Sequence, residues 1–551
     1  MTALPDAPPS ASGRWRWLVA CVAPALVLVA IVLPFLRFHE YSLLLPESLI
    51  LIAGAAAIGA AVGAISLLRP ATLGPALMAL TLCVFALYRQ EINSKIFQAA
   101  LTTAEFTGNV GVVLGVMGAA IFLSVLALAF LLRQHLQSIV VAVFSTFVLG
   151  TIVLPTPIGG EPRASGALPA ELKDLPPVVH IVLDEHVGLA GLPADVEGSE
   201  AAEHAIRDTY ADFELYSRAY SGFAETQYSL AGLLNAEPGP AVRSHLDLIS
   251  ATYVLHRSTW FERLKEKGYA LQVYQTAWFD MCSEIEAVDS CYTYPLHSIN
   301  AVQRSPLSTL ARLRVLVGKL HLGREVPLPS ALPAREALDR FERDIEATPR
   351  GVAYVVHLLL PHYGYLYHAD CSLADPGEWG NQPGRDAPLE LSTQAERRAA
   401  YRIYFDQLVC TQRQMAALFD RLKRLGVYDE ATIIVHGDHG SRIAERTVHM
   451  PTDSLTERDL LDHFTTLLAI KAPGVEAGVE EAPVGLQQIF AERFLGVKAK
   501  PSATDLVWLL NKRTDEFVSR ELAWPELGDG TSTLGAGLIS SPLPDLRLSV
   551  E

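Results

Sequence analysis

Five apolar runs crowd into the first 156 residues, and they decide what the rest of the chain can be. They are Trp17 to Leu36, Ser48 to Leu68, Leu73 to Tyr88, Val110 to Leu132 and Ile139 to Leu154. Each approaches the ~20 apolar residues that cross a hydrocarbon core, the third and fifth being the short ones. A cleaved signal peptide would supply one such stretch, not five. Pro24, Pro34 and Pro75 lie inside or near the ends of the runs, where membrane helices tolerate them better than soluble ones. A chain of 551 residues with 50% hydrophobic content therefore reads as two bodies, a transmembrane domain over 1–156 and a polar remainder. One short run as a buried or re-entrant segment is the plain alternative.

Direction follows from the basic residues of the short loops. With the N terminus in the cytoplasm, Arg14, Arg16, Arg69 and Arg133 stay inside, and Arg37, Arg89 and Lys95 lie outside. An odd number of spans then delivers everything after residue 156 to the extracytoplasmic face of a multi-pass inner-membrane protein. Cysteine usage agrees. Cys21 and Cys83 sit in spans, whereas Cys282, Cys291, Cys371 and Cys410 lie in the polar portion, an even set suited to disulfides in an oxidising compartment. Four unrelated reduced thiols would be the bland reading. Of the 44 basic and 60 acidic residues, seven and five fall within 1–156, so 37 and 55 remain beyond it, a net charge of −18. Such a domain is a poor partner for nucleic acid or for anionic lipid.

The tract 157–177, rich in Pro and Gly, reads as a linker. Residues 178–500 alternate strand-like and helix-like stretches, as a layered α/β domain does. Val178 to Leu183 is an apolar run of strand length. A helical pattern from Leu255 to Lys267 precedes a strand from Gly268 to Tyr274, and another around Arg335 to Ala347 precedes a strand from Val352 to Leu360. A long amphipathic helix, Gln394 to Leu425, runs into the strand Ala431 to Val435. That order implies a mainly parallel central sheet whose strand ends converge on one edge. Residues 501–551 read as a C-terminal extension, with Gly528 to Glu551 a flexible acidic tail.

Chemistry-bearing residues stand at those strand ends. Asp184 and Glu185 follow Val178 to Leu183, and Asp438-His439-Gly440 follows the run to Val435. Two carboxylates and an imidazole suit Zn²⁺ or Mn²⁺, with Ca²⁺ and Mg²⁺ left open. Thr226 stands just ahead of an apolar segment of helical spacing, where a hydroxyl meets the positive end of a helix, a place for an attacking alkoxide and a bound phosphoryl group. An ordinary N-cap is its bland reading, and Ser221 and Ser229 are rival hydroxyls. Arg442 follows the Asp-His-Gly run, placed to meet either a substrate anion or a surface carboxylate. His436 and His463 read as structural or exposed. Specificity is expected in loops such as Asp370 to Pro388.

Taken together, these motifs resemble the alkaline phosphatase superfamily, in particular the membrane-anchored sulfatase-like enzymes that include lipoteichoic acid synthase and the lipid A phosphoethanolamine transferases. The resemblance covers the spans and roughly residues 178–475. It implies that Asp184 takes the position of their first metal carboxylate, usually Glu, that Thr226 is the nucleophile and a metal ligand, and that Asp438 and His439 complete the set. Similarity to sulfatases implies Glu185 as a second ligand. The transferases carry two histidines five apart, like His357 and His362, which implies that His362 contacts the substrate phosphoryl group; His357 either joins it there or is a satisfied core histidine within its strand. Ser441-Arg442 departs from the pattern, because many relatives have an acidic residue there.

Three functions follow. The first is a phosphotransferase that moves a phospholipid headgroup, phosphoglycerol or phosphoethanolamine, through a phospho-threonine to an envelope glycan or lipid. Five spans favour it, since a lipid donor is met at the membrane. The second is a sulfatase-like hydrolase, either a phosphodiesterase or a sulfuric ester hydrolase. A formylglycine sulfatase needs Cys or Ser as nucleophile with Pro and Arg close behind, and Thr226-Gln-Tyr-Ser-Leu230 argues against that. The third, a non-catalytic membrane assembly factor, would need a degraded ligand set.

Overall fold

A computed structural model describes residues 11–88, 110–154, 162–249, 252–296, 298–320, 330–379, 393–448, 454–497, 505–511 and 515–524. The expected tail Gly528 to Glu551, the first residues of the linker, the second half of the loop Asp370 to Pro388, and Arg89 and Lys95 lie outside the described residues. The chain divides into two compact units, 1–159 with 307–325, and 160–306 with 326–551.

Among its described residues the first unit holds five apolar helices, α1 (Ala11–Phe38), α2 (Pro46–Ser66), α3 (Leu73–Leu87), α4 (Val110–Leu131) and α5 (Leu136–Val153). Four are long and apolar enough to cross a membrane, and α3, at 15 residues, is shorter. Its sequence leaves α4 apolar all round, with Val112, Val116, Leu123, Leu128 and Leu131 exposed, as lipid-facing helices are. Small residues let α1 and α2 meet closely: a Cβ on Gly63 would stand 2.2 Å from the Ala20 carbonyl oxygen, and one on Gly59 2.4 Å from Ala25 Cα. Met78 and Ala79 of α3 are buried with Ala23, Val27 and Ala30 of α1 and with Val140 and Phe144 of α5. Arg37 donates to the Leu154 carbonyl at 3.2 Å, so the C-terminal ends of α1 and α5 lie at one level and the two helices run the same way. An odd number of crossings must separate them. Among the described residues α2, α3 and α4 lie between them in sequence, and α3 falls below the length of the four candidate spans.

The same unit contains a segment that the sequence reading assigned to the catalytic stretch 178–500. Helix Thr309–Lys319, capped by Ser308, buries Val315 and Leu316 in this unit. Its Arg312 Nε lies 2.9 Å from Glu47 Oε1 at the start of α2, a fully buried carboxylate that also accepts from the Tyr41 hydroxyl at 2.8 Å. An 11-residue amphipathic helix reads alike whether it covers a sheet or a helix bundle.

The second unit is built on a nine-stranded sheet. Its strands are β1 (Arg163–Gly166), β2 (Val178–Leu183), β3 (Glu214–Tyr216), β4 (Ala270–Thr276), β5 (Ser290–Tyr294), β6 (Val352–Leu358), β7 (Thr432–His436), β8 (Leu468–Lys471) and β9 (Gly478–Glu480), in the spatial order β1-β5-β4-β6-β2-β7-β8-β3-β9. The five strands from β5 to β7 are mutually parallel, as expected, and the edges bring antiparallel pairs. All six residues of β2 are buried, the mark of a strand covered on both faces. Each such Val, Leu or Ile contributes about 1.5–3 kcal/mol. The linker is partly ordered, since β1 pairs with β5.

Helices α6 (Thr226–Asn235), α7 (Thr259–Glu266), α8 (Ala331–Ala347), α9 (Gln394–Arg424) and α10 (Glu457–Phe464) pack around the sheet. The expected helix Leu255 to Lys267 is shorter than read, because Thr252–Leu255 is a strand and Ser258 caps the helix. Capping boxes open α9 (Thr393 with Glu396) and α10 (Thr456 with Asp459). Two disulfides form, Cys282–Cys291 and Cys371–Cys410, and the thiols of Cys21 and Cys83 are free. Part of the C-terminal extension is a hairpin, β10 (Leu506–Asn511) with β11 (Glu516–Glu521). It packs on the approach to Thr226: Trp508 N donates to the Gly222 carbonyl at 2.7 Å, and Phe517 meets Phe223 and Tyr228 edge-on.

Candidate active site

Register puts the site at one sheet edge. Leu358 of β6 lies opposite Leu183 of β2, and His436 of β7 opposite Val182. Asp184 and Glu185, just past β2, therefore meet His357 at the end of β6 and Asp438-His439 just past β7. Asp184, Asp438 and His439 present ligand atoms within 4.8 Å of one another, and so do Asp184, Glu185 and His362.

The tautomer of His439 follows from its partners. Nδ1 lies 2.8 Å from the Gly440 carbonyl oxygen, which only accepts, so Nδ1 carries the proton and Nε2 presents its lone pair. Burial, and next the Arg442 guanidinium, hold this imidazole well below the usual histidine range and so neutral. Asp438 is pushed up to about 7, by burial first and then by the charge of Asp184. Its Oδ1 accepts from the Glu185 amide at 3.1 Å.

Thr226 is the first residue of α6, not its cap; Glu225 holds the cap position, and no side chain caps this helix. Thr226 Oγ1 lies 3.4 Å from Asp184 Oδ2 and 3.3 Å from His439 Nε2. The rival hydroxyls are occupied elsewhere. Ser221 and Ser229 are fully buried, bond each other at 2.9 Å and share Gln487, and Ser229 Oγ donates to the Asp438 carbonyl at 2.6 Å. They tie α6 to the ligand loop.

His357, expected beside the phosphoryl group, contacts the Asp184 carboxylate. It is fully buried, its Nε2 lies 3.0 Å from Asp184 Oδ2, and burial lowers it to about 4, so the neutral ring donates to Asp184. His357 lies one residue before the end of β6 and has no exposed surface. His362 is part-exposed, with Nε2 at 3.6 Å from Glu185 Oε1 and 4.0 Å from Asp184 Oδ1. Glu185 takes a positive φ of 61° and accepts from the Tyr363 amide at 3.1 Å.

Arg442 also has a positive φ, 58°, a strained state for a long side chain that surrounding contacts must enforce. It donates from Nε and Nη2 to the Ala224 carbonyl at 3.1 and 2.8 Å, and from Nη2 to His439 Nε2 at 2.6 Å. His436 and His463, read as structural or exposed, are both buried: His436 bonds His180 at 2.7 Å and His463 the Arg446 carbonyl at 2.9 Å.

The donor set fits a divalent cation. Three carboxylates, Asp184, Glu185 and Asp438, are buried together, the three ring systems nearby include two held neutral, and Arg442 is the cation beside them. Buried like charges at this spacing are costly unless a cation joins them. Oxygen and imidazole donors suit Zn²⁺ or Mn²⁺. Sequence reasoning named Ser229 only as a rival hydroxyl, and it missed Gln487 and Asp462 of α10, which brace the ligand loop. Only the capping box Thr456-x-x-Asp459 signalled α10.

The chain matches no protein-family model, and no curated protein matches it. Among solved structures it is similar to the phosphonate monoester hydrolase of Agrobacterium radiobacter, at 13% identity over 61% of this chain and 80% of that one, with a TM-score of 0.39. It is likewise similar to the C-terminal periplasmic domain of EcEptC from Escherichia coli, solved in complex with Zn, at 12% identity over 61% and 84%, TM-score 0.35. A third is a protein from a glycosaminoglycan-metabolism locus of Bacteroides thetaiotaomicron, at 14% identity over 58% and 72%, TM-score 0.38.

Proposed function

We propose that this protein is a membrane-embedded, metal-dependent phosphotransferase of the alkaline phosphatase superfamily. It takes a phospholipid headgroup, phosphoglycerol or phosphoethanolamine, onto Thr226 and passes it to a glycan or lipid of the cell envelope on the extracytoplasmic side of the inner membrane. One hydroxyl carries this reading: Thr226 Oγ1, at a helix start, 3.4 Å from Asp184 Oδ2 and 3.3 Å from the lone pair of His439. The motifs resembling the transferases fall on the same residues.

Asp184, Asp438, His439 and Thr226 would hold the ion. When bound, it supplies Lewis acidity that lowers the pKa of the Thr226 hydroxyl and offsets charge on the phosphoryl oxygens. In the first displacement Thr226 Oγ1, as the alkoxide whose proton has gone to solvent, bonds to the donor phosphorus and the bond from phosphorus to the diacylglycerol oxygen breaks. His362, the part-exposed histidine of the set, gives that leaving oxygen its proton. In the second, an acceptor hydroxyl attacks phosphorus, the Thr226–phosphate ester breaks to give back the Thr226 alkoxide, and the acceptor proton returns to His362. The amide end of α6 and the Arg442 guanidinium hold the phosphoryl oxygens, and Glu185 orients His362. His357 keeps Asp184 aligned.

The test is peptide mass spectrometry after incubation with lipid vesicles and rapid acid quench. A headgroup-phosphate adduct on the peptide containing Thr226 is expected. Turnover of Thr226→Ala at the wild-type rate would sink the mechanism, and release of the headgroup to water alone, with every envelope acceptor present, would make the enzyme a hydrolase.

A further inference from the structure

We propose that Arg397, Tyr401 and Asp462 form a buried clamp that sets the position of the loop 437–442, and through it the affinity of the site for a divalent ion. The inference rests on the metal site proposed above. The last carbonyls of a helix lack partners within it. Those of α10 are taken up by the active site: Arg442 N donates to the Asp462 carbonyl at 3.1 Å, Gly440 N to that of His463 at 2.9 Å, and Ser221 N to that of Phe464 at 2.8 Å. One helix end thus fixes the distance between the loop bearing Asp438 and His439 and the segment leading to Thr226. There is no slack, since a Cβ on Gly440 would stand 2.4 Å from the Asp462 carbonyl oxygen.

What holds the helix end is a side-chain cluster. Arg397 donates to Asp462 from Nε at 2.8 Å and from Nη2 at 2.7 Å, and the Tyr401 hydroxyl donates to Asp462 Oδ1 at 2.5 Å. The same hydroxyl lies 2.8 Å from Ser441 Oγ, inside the loop. Both charged partners are buried, 3% and 2% exposed, where an apolar pair of similar volume would serve stability as well. An apolar pair has no preferred direction, whereas a two-point guanidinium–carboxylate contact fixes one. Arg397 sits one turn into the 31-residue α9, so the loop is referenced to the longest helix of this unit.

The experiment uses the full chain in detergent, with Zn²⁺ alone titrated in competition with a chromophoric chelator. In Arg397→Met/Asp462→Leu the melting temperature should stay near wild type while Zn²⁺ binding weakens roughly 10–100-fold, the usual cost of losing support behind a metal ligand. The same exchange in a half-buried pair, Arg493→Met with Glu214→Leu of β3, should leave Zn²⁺ binding unchanged. Should the double variant fail to fold, Tyr401→Phe, which removes only the hydroxyl joining Asp462 to Ser441, is expected to weaken Zn²⁺ binding several-fold. Wild-type affinity in a folded clamp variant would overturn the clamp and leave the metal site standing. A wild-type protein that binds no Zn²⁺ or Mn²⁺ would overturn the metal reading and the clamp with it.

Discussion

Single side chains carry the chemistry. Thr226→Ala should fold, bind its metal through Asp184, Asp438 and His439 alone and lose turnover, and Thr226→Ser should keep part of the turnover, because the hydroxyl survives and only the methyl is lost; a headgroup-transfer assay on vesicles reads both. His357→Ala is expected to lower transfer roughly 10–100-fold by leaving Asp184 without its ring donor, with Km for the lipid little changed. A large rise in Km at constant kcat would instead put His357 on the substrate. Asp184 and Asp438-His439 were legible in sequence because each follows an apolar run that stops at a ligand, and Thr226 because it stands just ahead of one; both are local signals. The role of His357 was not, since a histidine in a strand reads the same whether it faces substrate or a neighbouring carboxylate.

At the scale of elements, adjacent strands β2 and β7 bury a bonded histidine pair, His180 and His436, at 2.7 Å. Burial lowers His436 to about 4 from an ordinary 6.5 and lowers His180 well below that ordinary value. The unfolded chain therefore binds these protons first. Stability is intact above pH 6.5 and falls as pH drops toward 4, by on the order of 3 kcal/mol for His436 alone. The melting temperature of the purified chain should drop between about pH 7.5 and about pH 5, and by less in His180→Leu/His436→Leu. Equal melting temperatures for the wild type at both would refute it. Sequence showed the strands but not this pairing, for nothing local links positions 180 and 436. Arg397 with Asp462 and the hairpin β10–β11 escaped for the same reason.

For the whole molecule the membrane unit sets the constraints. If α3 crosses, cysteines placed at Arg69 and Tyr88 in a cysteine-free background must label from opposite sides of the membrane; labelling from one side would reduce the spans to four. Breaking Cys371–Cys410, which closes a 39-residue loop onto α9, should cost about 4 kcal/mol. A single cut near Gly160 suggests itself as the way to obtain the catalytic half in water. But residues 307–325 travel with the bundle, and Arg312 is paired to Glu47 there. Such a fragment would carry Val315, Leu316 and Leu320 stripped of their neighbours, together with a guanidinium torn from its carboxylate. It should behave as a sticky, detergent-requiring piece, and tame secretion should need that excursion trimmed away as well.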